Sequence, residues 1–249
     1  MTAASEALRA LHRDRPAAGG PLVLPGPWDA MSARAFEEAG FPALATPSAG
    51  IALSLGYEDG ATPPGEMFAA VERIVRSVSV PVTADLEGGY GLPAAEFVER
   101  VRESGAVGVN LEDSDRRNGL GDPEEFAEYL AAVRAAAGPG LFVNARVDTY
   151  LRKAPEPFEA TVARSLRYAE AGADCVYPIL APAADLPALR AALGDLPVNA
   201  LAVPGGPSFA ELGSLGATRI TFGEGLLTRA RTEVAALAAR LGSAGTLDA

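Results

Sequence analysis

The chain has 249 residues and a mass of 25.5 kDa, and its 32 Asp and Glu against 21 Lys and Arg give a formal net charge of −11. An acidic balance with a pI near 4.7 argues against nucleic-acid or anionic-membrane partners, which need a basic patch to neutralise phosphate. One cysteine excludes an internal disulfide. With no apolar core in the first sixteen residues and no run of about 18 apolar residues, a soluble, cytoplasmic protein is expected.

Short apolar runs recur along the chain, each followed by helical spacing. Candidate strands are Leu22–Leu24, Ala43–Thr46, Val80–Asp85, Val107–Glu112, Leu141–Arg146, Cys175–Pro178, Val198–Leu201 and Arg219–Phe222. They are Val-, Leu- and Ile-rich without clean alternation, as parallel strands covered by helices are. Candidate helices are Ala30–Ala39, Pro64–Ser77, Ala94–Ser104, Pro123–Ala137, Pro157–Ala171, Asp185–Leu193, Ser208–Leu215 and Gly225–Leu241. Asp122 before Pro123 is an N-cap followed by proline at the first helical position. Gly40, Gly105, Gly172 and Gly216 stand where helices should stop in a left-handed cap.

Eight β-then-α units of about 30 residues each predict one α/β domain over residues 1–249, a single (β/α)₈ TIM-type barrel. Residues 1–20 form an N-terminal helical extension and residues 225–249 a C-terminal helix and tail. A doubly wound open sheet is the structural alternative.

Two scarcities narrow the chemistry: His12 is the single histidine and Lys153 the single lysine. A histidine-cysteine zinc site cannot be assembled. His12 reads as a solvated surface residue and Lys153 as part of a polar loop, neither suited to a catalytic triad or an imine. Carboxylates, arginines, backbone amides and a hard metal remain.

In a barrel the catalytic face lies at the C-terminal strand ends, where the polar residues gather. Asp85 and Glu87 are two apart and face one side if the strand continues; Glu112 ends the next strand. Three carboxylates in one mouth repel each other unless a cation or shared proton intervenes. Mg²⁺ on Asp85, with Glu87 and Glu112 holding its waters, is an economical solution. Arg146 could then grip a small anionic substrate. Alternatively, Glu112 and Arg146 form an inert ion pair. Asn144 and Asp148 orient Arg146 or close hydrogen bonds in the loop; Trp28 packs the rim or covers a ligand. Cys175 reads as core. Tyr177 and Asn199 stand at two further strand ends.

The runs Gly26-Pro27-Trp28-Asp29-Ala30-Met31-Ser32-Ala33, Ser48-Ala49-Gly50, Asp85-Leu86-Glu87-Gly88-Gly89-Tyr90-Gly91, Asn110-Leu111-Glu112-Asp113 and Asn144-Ala145-Arg146-Val147-Asp148 resemble, in order, the isocitrate lyase / phosphoenolpyruvate mutase superfamily. The resemblance spans about residues 20–225. It implies a Mg²⁺-dependent barrel, Mn²⁺ being a possible substitute, that makes or breaks a C–C or P–C bond beside a 2-oxo acid. Position by position it makes Asp85 the metal-coordinating aspartate, Glu87 and Glu112 its acidic partners, and Asp59 an acid near the metal. Ser48, Ala49 and Gly50 become the backbone that binds the substrate carboxylate, Arg146 the substrate-binding arginine and Trp28 an aromatic beside the ligand. The Lys-Lys-Cys-Gly-His loop of the lyases and the Lys-Thr-Asn-Ser loop of the mutase are absent after Glu112.

The expected activity is therefore a Mg²⁺-dependent carbon-carbon lyase on a small 2-oxo or 2-hydroxy carboxylate. Catalytic residues would be Asp59, Glu112 and Arg146; substrate-binding residues Trp28, Ser48, Ala49, Gly50, Asp85, Arg146 and Asn199. Competing readings are phosphonate P–C chemistry, with Arg116 or Arg117 replacing the mutase lysine, and a silent carboxylate-binding protein. Ser114, Asp115, Tyr90 and Tyr57 are candidate proton handlers, and a homo-oligomer is possible.

Overall fold

The computed structural model describes residues 2–13, 20–115 and 119–244. The pair Arg116-Arg117 thus lies outside the described residues, as do parts of the N-terminal extension and the C-terminal tail. Helix α1 (Ala3–Arg13) precedes β1 (Leu22–Val23), α2 (Ala30–Glu38), β2 (Leu44–Thr46), α3 (Ser48–Leu55), α4 (Pro64–Val75), β3 (Val82–Asp85) and α5 (Ala94–Ser104). Then come β4 (Gly108–Glu112), a hairpin of β5 (Ser114–Asp115) and β6 (Gly119–Leu120), α6 (Pro123–Ala137), β7 (Phe142–Val147), α7 (Pro157–Glu170) and β8 (Cys175–Pro178). The chain closes with α8 (Leu186–Leu193), β9 (Asn199–Leu201), α9 (Phe209–Ser214), β10 (Arg219–Thr221) and α10 (Gly225–Ala244).

The pairing departs from one continuous eight-stranded barrel. A five-stranded parallel sheet runs β2-β3-β4-β7-β8, and a three-stranded one runs β1-β10-β9. One seam between them is a single parallel bridge, Val176 to Val198. At the other, the Ala45 amide donates to Pro25 O at 3.1 Å. Strands of two or three residues on the short sheet leave few ladder bonds to carry the pairing across.

Within the strands the side chains do alternate. Val109 and Leu111 of β4 and Val143, Ala145 and Val147 of β7 pack with Phe97, Leu130 and Tyr168 from the covering helices. Asn110, Glu112, Asn144 and Arg146 lie between them in sequence and take the opposite face. Short apolar runs concealed this period because both faces are buried near the strand starts. There Leu8 of α1 packs with Leu22, Leu24, Ala43, Ala45, Val107, Phe142 and Cys175, stopping the N-terminal ends of the strands. Arg9 fixes that helix by a two-pronged contact with Asp174 at 2.6 and 3.0 Å.

His12 is not a solvated surface residue. It is buried, stacked on Phe142 at 4.0 Å between ring centroids, with Nδ1 at 2.8 Å from Leu8 O. The amphipathic turn that carries it faces the strands. The glycine stops hold: Gly105, for example, ends α5 at φ 77°, a left-handed conformation that glycine adopts without a Cβ penalty. Asp122 caps α6, accepting from the Glu124 and Glu125 amides at 2.8 and 3.1 Å. Helix α3 has no counterpart among the candidate helices: Ser48–Leu55 folds as helix directly after Pro47, burying Ile51 and Ala52. No helix among the described residues is long and apolar enough to cross a membrane.

Candidate active site

The C-terminal strand ends open into a cavity of about 1090 Å³ whose lining includes Ser48, Asp59, Glu87, Tyr90, Glu112, Arg146 and Arg152. Register builds its wall. Asp85 pairs with Asn110, and Glu112 pairs with Arg146 on the next strand. The Arg146 guanidinium reaches Glu112 Oε2 at 2.6 Å and forks onto Asp148, Nε to Oδ1 at 2.7 Å and Nη2 to Oδ2 at 3.0 Å. Asp148 has no solvent exposure, so Arg146 is oriented from behind by a buried carboxylate and faces the cavity beside a second acid. Asp148 fills both roles open to it, orienting Arg146 and closing loop hydrogen bonds with Ser114, Asp113 and the Arg152 amide.

Asp85 ends β3. Its Oδ2 accepts from Ser48 Oγ at 3.0 Å and from the Ser48 amide at 3.4 Å, at the start of α3. Its Oδ1 is sealed from solvent without a hydrogen-bond partner. The strand does not continue to Glu87, so period-two alternation does not place that residue. Instead Glu87 takes a left-handed φ of 52° and Tyr90 one of 60°, and both then line the cavity. Non-glycine residues held there store backbone strain, a feature that clusters at working sites.

Crowding sets the electrostatics. Burial raises the Asp85 carboxyl, against the opposing pull of Arg146 and the Ser48 hydrogen bonds. Burial also raises Glu112, to about 8, with Asp85, Asp148 and Glu87 adding repulsion against the attraction of Arg146. The Tyr90 hydroxyl is pushed well up by burial and by Glu87, Asp85 and Glu112. Burial alone would weaken the Arg146 charge, but Asp148 and Glu112 more than offset it and keep the guanidinium protonated.

Among the described residues no three acidic, His or Cys side chains form a ready-made cation cage. The expected arrangement, Asp85 as direct ligand with Glu87 and Glu112 on its waters, calls for no such cage; here Glu112 is turned onto Arg146 and Asp85 onto Ser48. The donor set still fits a hard cation held through one carboxylate and water. It is all oxygen, in negative excess, and includes the sealed, unpartnered Asp85 Oδ1.

Five expected substrate-binding residues are absent from the cavity lining: Trp28, Ala49, Gly50, Asn199 and Asp85, whose Oδ1 is sealed from solvent. Trp28 packs edge-on against Phe36 at 6.5 Å. Ala49 and Gly50 lie within the first turn of α3, where a Cβ at position 50 would run into Pro47. Asn199 is fully buried below the site, donating to Thr221 Oγ1 at 2.9 Å and to Ala200 O at 3.0 Å. Tyr57 bonds Glu66 at 2.7 Å. Asp59 does line the cavity and adds its charge to the pressure on Asp85.

Two contributors escape sequence reasoning. Asp113 looks like a loop acid, yet it is buried and accepts from Tyr168 at 2.6 Å, Arg164 at 2.8 Å and the Asp148 amide at 2.9 Å. Arg152 reads as part of a polar loop, yet it lines the cavity. The signal for both is long-range contact, which a single sequence does not print.

A family model described as phosphoenolpyruvate phosphomutase matches residues 8–241. The chain belongs to that family, within the isocitrate lyase / phosphoenolpyruvate mutase superfamily. It is 37% identical over 205 residues to an uncharacterized protein of Mycobacterium tuberculosis, covering 82% of this chain and 78% of the relative. It is 33% identical to the 2-methylisocitrate lyase of Bacillus subtilis over 63% of this chain, spanning 54% of that lyase. A solved structure from Burkholderia cenocepacia J2315, assigned provisionally as a phosphonomutase, superposes with a TM-score of 0.87 at 40% identity. That match covers 95% of this chain and 98% of the other.

Proposed function

We propose that this protein is a divalent-metal-dependent lyase that cleaves a carbon-carbon bond in a small 2-oxo or 2-hydroxy carboxylate. The observation that carries the reading is Arg146, a protonated guanidinium braced by Asp148 and set in a cavity wall with Glu87 and Glu112, close enough to Asp85 to feel its charge. The acids Asp59, Asp85, Glu87, Glu112 and Asp148 outnumber the arginines Arg146 and Arg152 at this site, so a cation completes the charge. Asp85 would hold Mg²⁺ or Mn²⁺ through its unpartnered Oδ1, with Glu87 and Glu112 on the bound water. When bound, the metal supplies positive charge beside the oxygen where negative charge develops. Arg146 binds and orients the substrate carboxylate, and Ser48 with the amides opening α3 adds donors. Glu112 and Tyr90, both in the cavity lining, would hold a proton at the reacting end. With His12 stacked in the core and Lys153 outside the cavity lining, this chemistry asks nothing of either.

The fold reading that goes with this function is that the two sheets are halves of one closed (β/α)₈ barrel. The Val176–Val198 bridge and the Ala45–Pro25 hydrogen bond support it. We read the exposed Val234, Leu237 and Leu241 on α10 as a seat for a second copy; light scattering with Leu237→Glu tests that homo-oligomer.

Pyruvate release from a panel of 2-oxo and 2-hydroxy acids tests the reaction, with Mg²⁺, with EDTA and with Asp85→Ala. The expected result is metal-dependent turnover that the variant loses; turnover indifferent to both overturns the reading. Phosphonate P–C chemistry is the second reading, favoured by the Burkholderia cenocepacia structure; release or rearrangement of a phosphonate substrate would select it.

A further inference from the structure

We propose that Arg152 determines specificity by receiving a second carboxylate of the substrate, which makes the substrate a 2-oxo or 2-hydroxy diacid. The inference rests on the lyase reading above and names its substrate class.

Arg152 lies beyond β7 in a turn fixed by its own amide, which donates to Asp148 O at 2.7 Å, and by Ala154 N to Thr149 O at 2.9 Å. Its Nε donates to Ser114 Oγ at 3.0 Å. Ser114 in turn donates to Asp148 Oδ2, the oxygen that Arg146 Nη2 also holds. Two guanidiniums are thus oriented by one buried carboxylate, the second through a serine hydroxyl. Both line the same cavity.

Their difference is in what they lack. Arg146 is paired with Glu112 and Asp148, and Arg164 nearby is paired with Asp113. Arg152 makes the single Ser114 contact, so among the described residues its terminal nitrogens carry no acid partner. A half-buried guanidinium that lines the cavity and has no acid partner among the described residues suits a bidentate carboxylate arriving from outside. Glu112, Asp59 and Glu87 in the same lining repel a dianion, so its second charge needs this separate cation. A monocarboxylate engages Arg146 and leaves Arg152 unused.

The test is calorimetric binding in Mg²⁺ of oxaloacetate analogues and of monoacids with the same reacting end, to wild type, R152Q, R152K and D85N, with steady-state kinetics alongside. In wild type the diacid is expected to bind at least tenfold more tightly than the monoacid. R152Q is expected to bring that ratio near one, as a rise in KM with kcat within about twofold, and R152K to recover only part of it. Equal weakening of both ligands, or no diacid preference in wild type, overturns the proposal. An Arg152-dependent preference for a phosphono acid over the diacid overturns its carboxylate assignment. If the preference depends on Arg152 but no carbon-carbon cleavage occurs and D85N binds normally, the lyase reading fails and the second-anion site stands.

Discussion

Arg146 and Glu112 are directly paired across β7 and β4, and their side chains meet at 2.6 Å on the cavity wall. The same guanidinium forks onto Asp148 behind it. A lysine offers a point charge and cannot serve both acids and a substrate carboxylate in one plane. Arg146→Lys is therefore expected to lower kcat/KM by about 100-fold, the cost of a lost charge-assisted bidentate contact of roughly 2–3 kcal/mol. Steady-state kinetics on any acid that wild type turns over checks this, with circular dichroism to confirm the fold. A loss under threefold would remove Arg146 from substrate binding.

Glu112 gives the pH prediction. Burial, reinforced by Asp85, Asp148 and Glu87, raises its carboxyl from 4.5 to about 8. Between those values the folded chain holds a proton that the unfolded chain has released. Folded-state proton binding exceeds unfolded, so stability falls as pH rises through that window. The destabilisation is absent below pH 4.5 and complete above about 8. Thermal unfolding in EDTA from pH 5 to 9 should show this decline, and Glu112→Gln should flatten it. Parallel slopes in the two proteins would show that Glu112 is not its source.

Asp113 fastens the stretch after β4 to α7 through Arg164 and Tyr168, and to the loop after β7 through the Asp148 amide. It is 3% exposed. Asp113→Ala leaves Arg164 and Tyr168 without their shared acceptor, so a loss of about 3–5 kcal/mol is expected. Urea unfolding measures it. Since Asp148 braces Arg146, the same variant should also weaken substrate binding at temperatures where it is folded. A cost under 1 kcal/mol would show that the loop is held by other contacts.

The sequence by itself determined the local parts of this protein. Apolar runs, the Asp122 cap and the glycine stops depend on neighbours a few residues away, and they placed most strands and helices to within one or two residues, while α3 and the β5–β6 hairpin went unread and α10 runs three residues past its expected end. Strand order at the C-terminal ends was likewise enough to gather Asp85, Glu87, Glu112 and Arg146 near one mouth. Tertiary structure decided what those residues touch. Glu112 became the ion pair of Arg146 through register across strands 34 residues apart in sequence, and Asp148, two residues beyond Arg146, became its brace once both were buried at the strand end. His12 moved from surface to core because α1 covers the strand starts, which its own amphipathic pattern could not reveal. Trp28 and Asn199 were drawn away from the cavity by packing against Phe36 and by a hydrogen bond to Thr221. Arg152, an ordinary loop residue in the sequence, was brought to the cavity wall because Ser114 and Asp148 meet there. Long-range contact, which no local pattern encodes, separates the residues that look functional from those placed to function.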